Sequence, residues 1–352
     1  NFVFKLNFFS YIPISIFFVV LTFSEILSLG LIIPYMNIIF NPSFLSDFEI
    51  LKNFSIFEKK TNDELIILFS LIFIFVFFVK TVLIIFVRAF IKSFSLKNIK
   101  NLQINLMDTY QKMSFDEYNK KKHSDYIRNI RELSAFCMNC LESLLRIISE
   151  TIVLIAILVF LIFVEPVPLL IISFIMLLFI TLYNFFLKPK TISWGKKRTD
   201  ATKLIYQSID ESFKGFKEIK TLGKQSFFSK FLKRGTEIIF KNDLKSSIIM
   251  TSPRYFLELI IVVFIILNLG FSVYTKGMNY EFLPILAIFA LAGLRILPSI
   301  ALISNDILQI GFFSEGLNVI YNDLKKYDTS KSKKIANKNK SDVFEKIEIK
   351  DI

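Results

Sequence analysis

The sequence predicts an all-α membrane protein of six transmembrane helices with two long cytoplasmic helical hairpins. Three observations carry that expectation. Of 352 residues, 53% are hydrophobic and 42 are Phe, with a mean hydropathy of +0.55, and no ordinary soluble domain tolerates such a composition on its surface. The apolar residues gather into six runs, long enough to cross a hydrocarbon core about 30 Å thick. The net charge of +13 comes almost entirely from Lys and Arg between those runs. That arrangement is a topology signal before it is a nucleic-acid footprint.

The first run, 12–40, contains Glu25 and Pro34, and the proline predicts a kink near its far end. A polar loop, 41–64, leads to the second run, 65–87, which is aliphatic and aromatic apart from Lys80. From 88 to 146 the chain is polar and basic. The third run, 147–164, and the fourth, 169–187, are joined by a turn at 165–168. A second basic stretch, 188–253, precedes the fifth run, 255–274; a turn at 275–281 then leads to the sixth, 283–311. Excess Lys and Arg puts loops 88–146 and 188–253 in the cytoplasm and loop 41–64 outside.

Within the basic stretches, apolar residues recur at helical spacing. Ile205, Ile209, Phe213, Phe216, Ile219 and Leu222 step by three or four. Each stretch therefore reads as two helices that continue the spans and reach about 40 Å beyond the membrane, turning near 115–125 and 221–228. Such arms suit levers against a soluble partner. After the sixth run, 328–342 is rich in Lys, Ser and Asn without an apolar period and reads as a flexible linker. Residues 343–352 alternate like the first strand of a soluble domain. The chain thus divides into a membrane domain at 1–327, a linker, and the start of a truncated domain; beginning at Asn1, it reads as cut from something longer.

Charges inside the runs are the candidate binding residues. Arg295 falls about 18 Å down the sixth run, near the bilayer middle, where a guanidinium costs from about 2.5 to more than 10 kcal/mol and usually faces a bundle interior or a wet cavity. Lys80 falls at a similar depth, about 22 Å into its run, and Arg254 lies about 30 Å below the outer end of the fifth, at the inner interface. Three cations on one descending path suit a phosphate or pyrophosphate headgroup, with its fatty tails left in the bilayer. Plainer readings stand beside this one: Arg254 snorkelling or pairing with Glu258, Lys80 snorkelling inward, and Arg295 pairing with Glu25 or Asp306. Pro298 with Gly293 marks either a hinge or a static bend in the sixth helix.

No catalytic constellation is present. The chain has no G-x-x-x-x-G-K-[ST], HExxH or G-x-S-x-G motif. Cys137 and Cys140 have no second pair and no nearby His to complete a metal site, and read as two small residues on one helix face. His123 reads as solvated.

Three stretches resemble the transmembrane half of a six-helix ABC exporter. MSFDEYNKKKHSDYIRNIRE at 113–132 is similar to that family's first intracellular loop. SIDESFKGFKEIKTLGKQSFFSKF at 208–231 is similar to the second, through Glu211, Gly215, Ile219 and Lys220, and EKIEIKDI at 345–352 to the first strand of the nucleotide-binding domain. Within that family, SPRYFLE at 252–258 and LRILPS at 294–299 look like the PglK-type flippases of lipid-linked oligosaccharides. The resemblance implies a homodimer in a bacterial inner (plasma) membrane, with no nucleic-acid partner. It also implies ATP and Mg bound in a C-terminal nucleotide-binding domain, and Arg295, Arg254 and Lys80 facing an anionic lipid. Phe115, Tyr118, Asp125, Leu222, Lys224 and Phe227 become the contacts to that domain. A peptide or drug exporter, and a non-ABC channel, carrier or scaffold, are the alternatives.

Overall fold

The computed structural model describes residues 12–31, 62–163, 166–276 and 282–337, with side chains throughout except 12–14, 29, 62–63, 65, 167–168, 268–269, 271–292, 294–295 and 327–337. Among the described residues there is no strand. The helices are α1 (Ile12–Gly30), α2 (Asn62–Gln111), α3 (Phe115–Tyr118), α4 (His123–Arg128), a π-helical segment (Asn129–Leu133), α5 (Ser134–Ile162), α6 (Pro166–Lys214), α7 (Phe216–Thr221), α8 (Gln225–Lys276) and α9 (Phe282–Asn337).

Helix length separates two environments. The 50 residues of α2 extend about 75 Å, more than twice a hydrocarbon core of about 30 Å. An apolar half and a polar half are therefore one continuous rod, and the same holds for α6, α8 and α9, with 49, 52 and 56 residues. Among the described residues, five helices are long and apolar enough to cross a membrane, the mark of a multi-pass membrane protein. The described part of α1 adds a shorter apolar stretch, Ser15–Ser28.

Pro189, Pro253 and Pro298 each lie inside a long helix. Each removes one backbone hydrogen bond, yet the helix is assigned without a break through all three. The kink expected at Pro34 and the strand expected at 343–352 fall outside the described residues. Helix α9 runs to Asn337, so its backbone carries helix well into the stretch that composition marks as a linker.

Two apolar cores match the two environments. Phe18, Leu21, Val153, Ile157, Leu257 and Ile296 anchor the core of the apolar half, while Leu102, Leu106, Leu133, Phe136 and Ile320 anchor that of the polar arms. Around the first, Phe75, Phe78, Ile85 and Phe174 remain largely exposed, a cost in water but not against lipid. Helices α6 and α9 touch backbone to backbone at Gly195, where a Cβ would come within 1.8 Å of the Phe312 carbonyl oxygen. Only glycine fits there.

Candidate functional site

Of the cations singled out in the apolar runs, Lys80 is paired. The Lys80 ammonium lies 2.7 Å from Glu25 Oε2 and donates to Ser28 Oγ at 3.2 Å, tying α2 to α1. Glu25 and Ser28 are fully buried, and Lys80 also sits 4.9 Å from the Phe77 ring centre. A lysine that depth alone marked as a cavity cation is thus held by a carboxylate from the neighbouring helix. Arg254, just after Pro253 in the middle of α8, is exposed and makes no ion pair with Glu258 among the described residues. The side chain of Arg295 lies outside the described residues; its backbone is helical within α9. Among the described residues, no contact joins Lys80 to Arg254.

Two polar contacts near the same depth were not singled out from sequence. Ser299 donates to buried Glu150 at 2.8 Å, joining α9 to α5. Lower down, Arg146 grips Asp306 with two bonds, Nε to Oδ2 at 3.0 Å and Nη2 to Oδ1 at 2.6 Å, and reaches Glu142 at 3.1 Å. Glu142 in turn takes Lys92 of α2 at 2.8 Å. Asp306, one of the two partners considered for Arg295, is therefore occupied by Arg146. The legible signal was two acids, Glu150 and Asp306, inside otherwise apolar runs, since such residues need partners.

Gly293 of α9 lines an apolar crevice of about 240 Å³ between α5, α6 and α9, and Pro298 follows on the same helix. Leu154, Leu158, Met176, Ile180, Ile296 and Ile300 line it. Its wall along α6, from Leu169 to Thr181, is about 18 Å long. A dry crevice at this level takes hydrocarbon rather than water.

The turns at the ends of the polar arms fall where helical spacing puts them. The first contains α3 and α4. Phe115 is 77% exposed, whereas Tyr118 stacks on Tyr126 with centroids 5.0 Å apart and planes 6° from parallel. Asp125 is buried, 3.9 Å from Arg128 and 3.8 Å from Lys203 of α6. It therefore faces the bundle, unlike Phe115. Burial pushes the Arg128 guanidinium down from its ordinary pKa, against the pull of Asp125. Lys122 is pushed up by its hydrogen bond to Glu211 of α6, at 2.7 Å.

The second turn is built differently. Gly223 has φ of +63°, with Lys224 N–H bonding the Ile219 carbonyl and Gly223 N–H the Lys220 carbonyl, which is a Schellman closure of α7. Leu222 and Phe227 are 69% and 54% exposed, and Lys224 is exposed with them. Ile209, Phe213, Phe216, Ile219, Phe228 and Leu232 line an open groove of about 470 Å³ between α6, α7 and α8. An apolar groove thus lies beside exposed aromatics at the end of a polar arm.

Among the described residues, no group of three or more His, Cys, Asp or Glu is placed to hold a metal ion. A scan against protein-family models finds none that matches the chain, and no curated protein matches it.

Proposed function

We propose that this chain is the transmembrane half of an ATP-driven exporter of the ABC type. In this reading it moves an anionic amphipathic lipid, such as a lipid-linked oligosaccharide, across a bacterial inner membrane by alternating access. The observation that carries the reading is the second turn. Two apolar helices run on unbroken as a polar hairpin and end in exposed Phe213, Phe216, Leu222 and Phe227. Membrane helices extended to present such a tip are suited to receive force from a soluble partner.

On this reading the partner is a nucleotide-binding domain following the chain, which holds ATP and Mg. The first run makes the sixth span, and two copies make twelve. The arms lie in the cytoplasm, as their Lys and Arg content favours. Arg295 is the principal contact for the anionic headgroup, with Arg254 receiving it at the inner interface. Lys80 contributes only while its carboxylate partner Glu25 is displaced or shared. The crevice between α5, α6 and α9 suits one hydrocarbon chain of the substrate.

The test is translocation of a fluorescent polyprenyl-pyrophosphate lipid in proteoliposomes containing the intact protein. The expected result is ATP-dependent flipping that Arg295→Ala abolishes while expression and dimerisation persist. Flipping at the wild-type rate in that variant would overturn the anion-contact role, and flipping indifferent to ATP would overturn the exporter reading.

A further inference from the structure

Asp323 is a buried acid in the polar part of α9, and side chains from three other segments converge on it. The Tyr110 hydroxyl at the end of α2 donates to Oδ2 at 3.1 Å, and Asn129 Nδ2 donates to the same oxygen at 2.9 Å. Lys121, from the first turn, pairs with Oδ1. Asn129 Nδ2 also reaches the Tyr110 oxygen at 3.2 Å, and its Oδ1 accepts Arg128 Nη2 at 3.1 Å. Both oxygens of the acid and both ends of the amide are therefore engaged.

The position of Asn129 explains how these groups meet. It opens the π-helical segment between α4 and α5, and the extra residue in a π turn re-aims the side chains on either side of it. At the other end of that segment, Glu132 lies 3.3 Å from Arg198 of α6. Arg198 also bonds Asp243 of α8 at 2.9 Å and stands 4.6 Å from the Phe136 ring centre. By contrast, among the described residues, the side chains of 216–224 form no hydrogen bond or ion pair beyond their own hairpin.

We propose that Asp323 is a positioning residue that locks the first turn to the polar part of α9, so that the two move as one body, while the tip at 216–224, which none of these contacts reaches, moves independently. A network whose members are all satisfied in a poorly solvated place behaves as a unit, because losing one member leaves the others unpaired. The consequence for transport rests on the exporter reading above; the lock itself does not. A mere brace would add stability and leave the relative motion of the turns unchanged.

The test uses the full chain in lipid nanodiscs, with nitroxide labels at two exposed positions, Lys120→Cys in the first turn and Asn322→Cys on α9. The native Cys137 and Cys140 are buried and escape labelling. Pulsed electron resonance, with the labelled chain diluted into unlabelled chain, should give a single narrow distance peak, which Asp323→Ala abolishes. Lys121→Gln, which removes the charged partner of Oδ1 while Tyr110 and Asn129 still hold Oδ2, should broaden the peak with a smaller loss of folded fraction than Asp323→Ala. A companion pair, Lys224→Cys with Asn322→Cys, should be broad already and unaffected by either substitution. A narrow Lys120–Asn322 peak that survives both changes would overturn the lock, as would a Lys224–Asn322 peak equally narrow and equally sensitive.

In the intact protein, Lys121→Gln should preserve ATP hydrolysis and lose lipid movement per ATP. Proportional loss of both would overturn the positioning role. If the wild type hydrolyses no ATP, the exporter reading fails while the spin-label result still decides the lock.

Discussion

The two turns at the ends of the polar arms come from similar sequence and meet opposite fates. Each combines aromatic residues, several lysines and a few acids. In the first, Ser124, Asp125, Tyr126 and Arg128 are buried, and Asp323 of α9 closes over the cluster. In the second, α7 buries no residue, and Phe213, Phe216 and Leu222 are each more than 60% exposed. The first turn is covered by its own chain, whereas the tip of the second leaves its apolar side chains exposed. Composition does not make the difference; long-range packing does, since α4 lies on α6 through Asp125 and Lys203, and Asp323 reaches Tyr110 from 213 positions away.

The contrast can be broken most forcefully at Asp323. Replacing it with Ala strands Asn129, Tyr110 and Lys121 together, with an expected loss of about 3 kcal/mol in stability. Thermal unfolding followed through Trp194, the chain's only tryptophan, measures this; a shift no larger than that of a surface substitution would show the cluster to be unimportant. At the second turn, Gly223→Ala places a side chain at positive φ and is expected to cost about 1 to 2 kcal/mol, read in the same assay.

Tyr110→Phe removes only one hydroxyl, for about 1 kcal/mol, and carries a pH signature. Burial first, and then the Asp323 charge, pushes the Tyr110 phenol well above its ordinary range. An unfolded tyrosine releases its proton near pH 10, so between there and the raised folded value the native state binds more protons. Its contribution is complete below about pH 10 and is lost as pH rises further. The variant should show a shallower alkaline decline, and an unchanged decline would count against the buried phenol. The smallest effect is expected from Phe227→Ser, within about 0.5 kcal/mol, because the ring is already exposed; a larger loss would mean that the second turn is internally held after all.

How far this contrast was legible in the sequence depends on range. The apolar runs, the continuation of spans into arms and the place of both turns follow from local periodicity, as with the three-and-four stepping from Ile205 to Leu222. Five helices of the described structure bear out the membrane class. Direction was not legible. The helical rise gives Lys80 its depth but cannot tell that Glu25 waits on α1, or that Asp306 belongs to Arg146. Asp125 reads as a polar turn residue, yet α4 starts two residues before it and packs on α6, carrying the acid inward beside Arg128 and Lys203. The π-helical segment has no pattern of its own, because one extra residue within a helix leaves the apolar spacing nearly intact.

The central claim, that one turn is sealed by its own chain and the other awaits a partner, is tested most directly by amide hydrogen exchange on the chain in nanodiscs. Residues 119–133 should exchange slowly and 216–224 quickly, with Asp323→Ala raising the first toward the second. Equal protection of the two turns in the wild type, or a first turn that opens as readily as the second, would contradict the account.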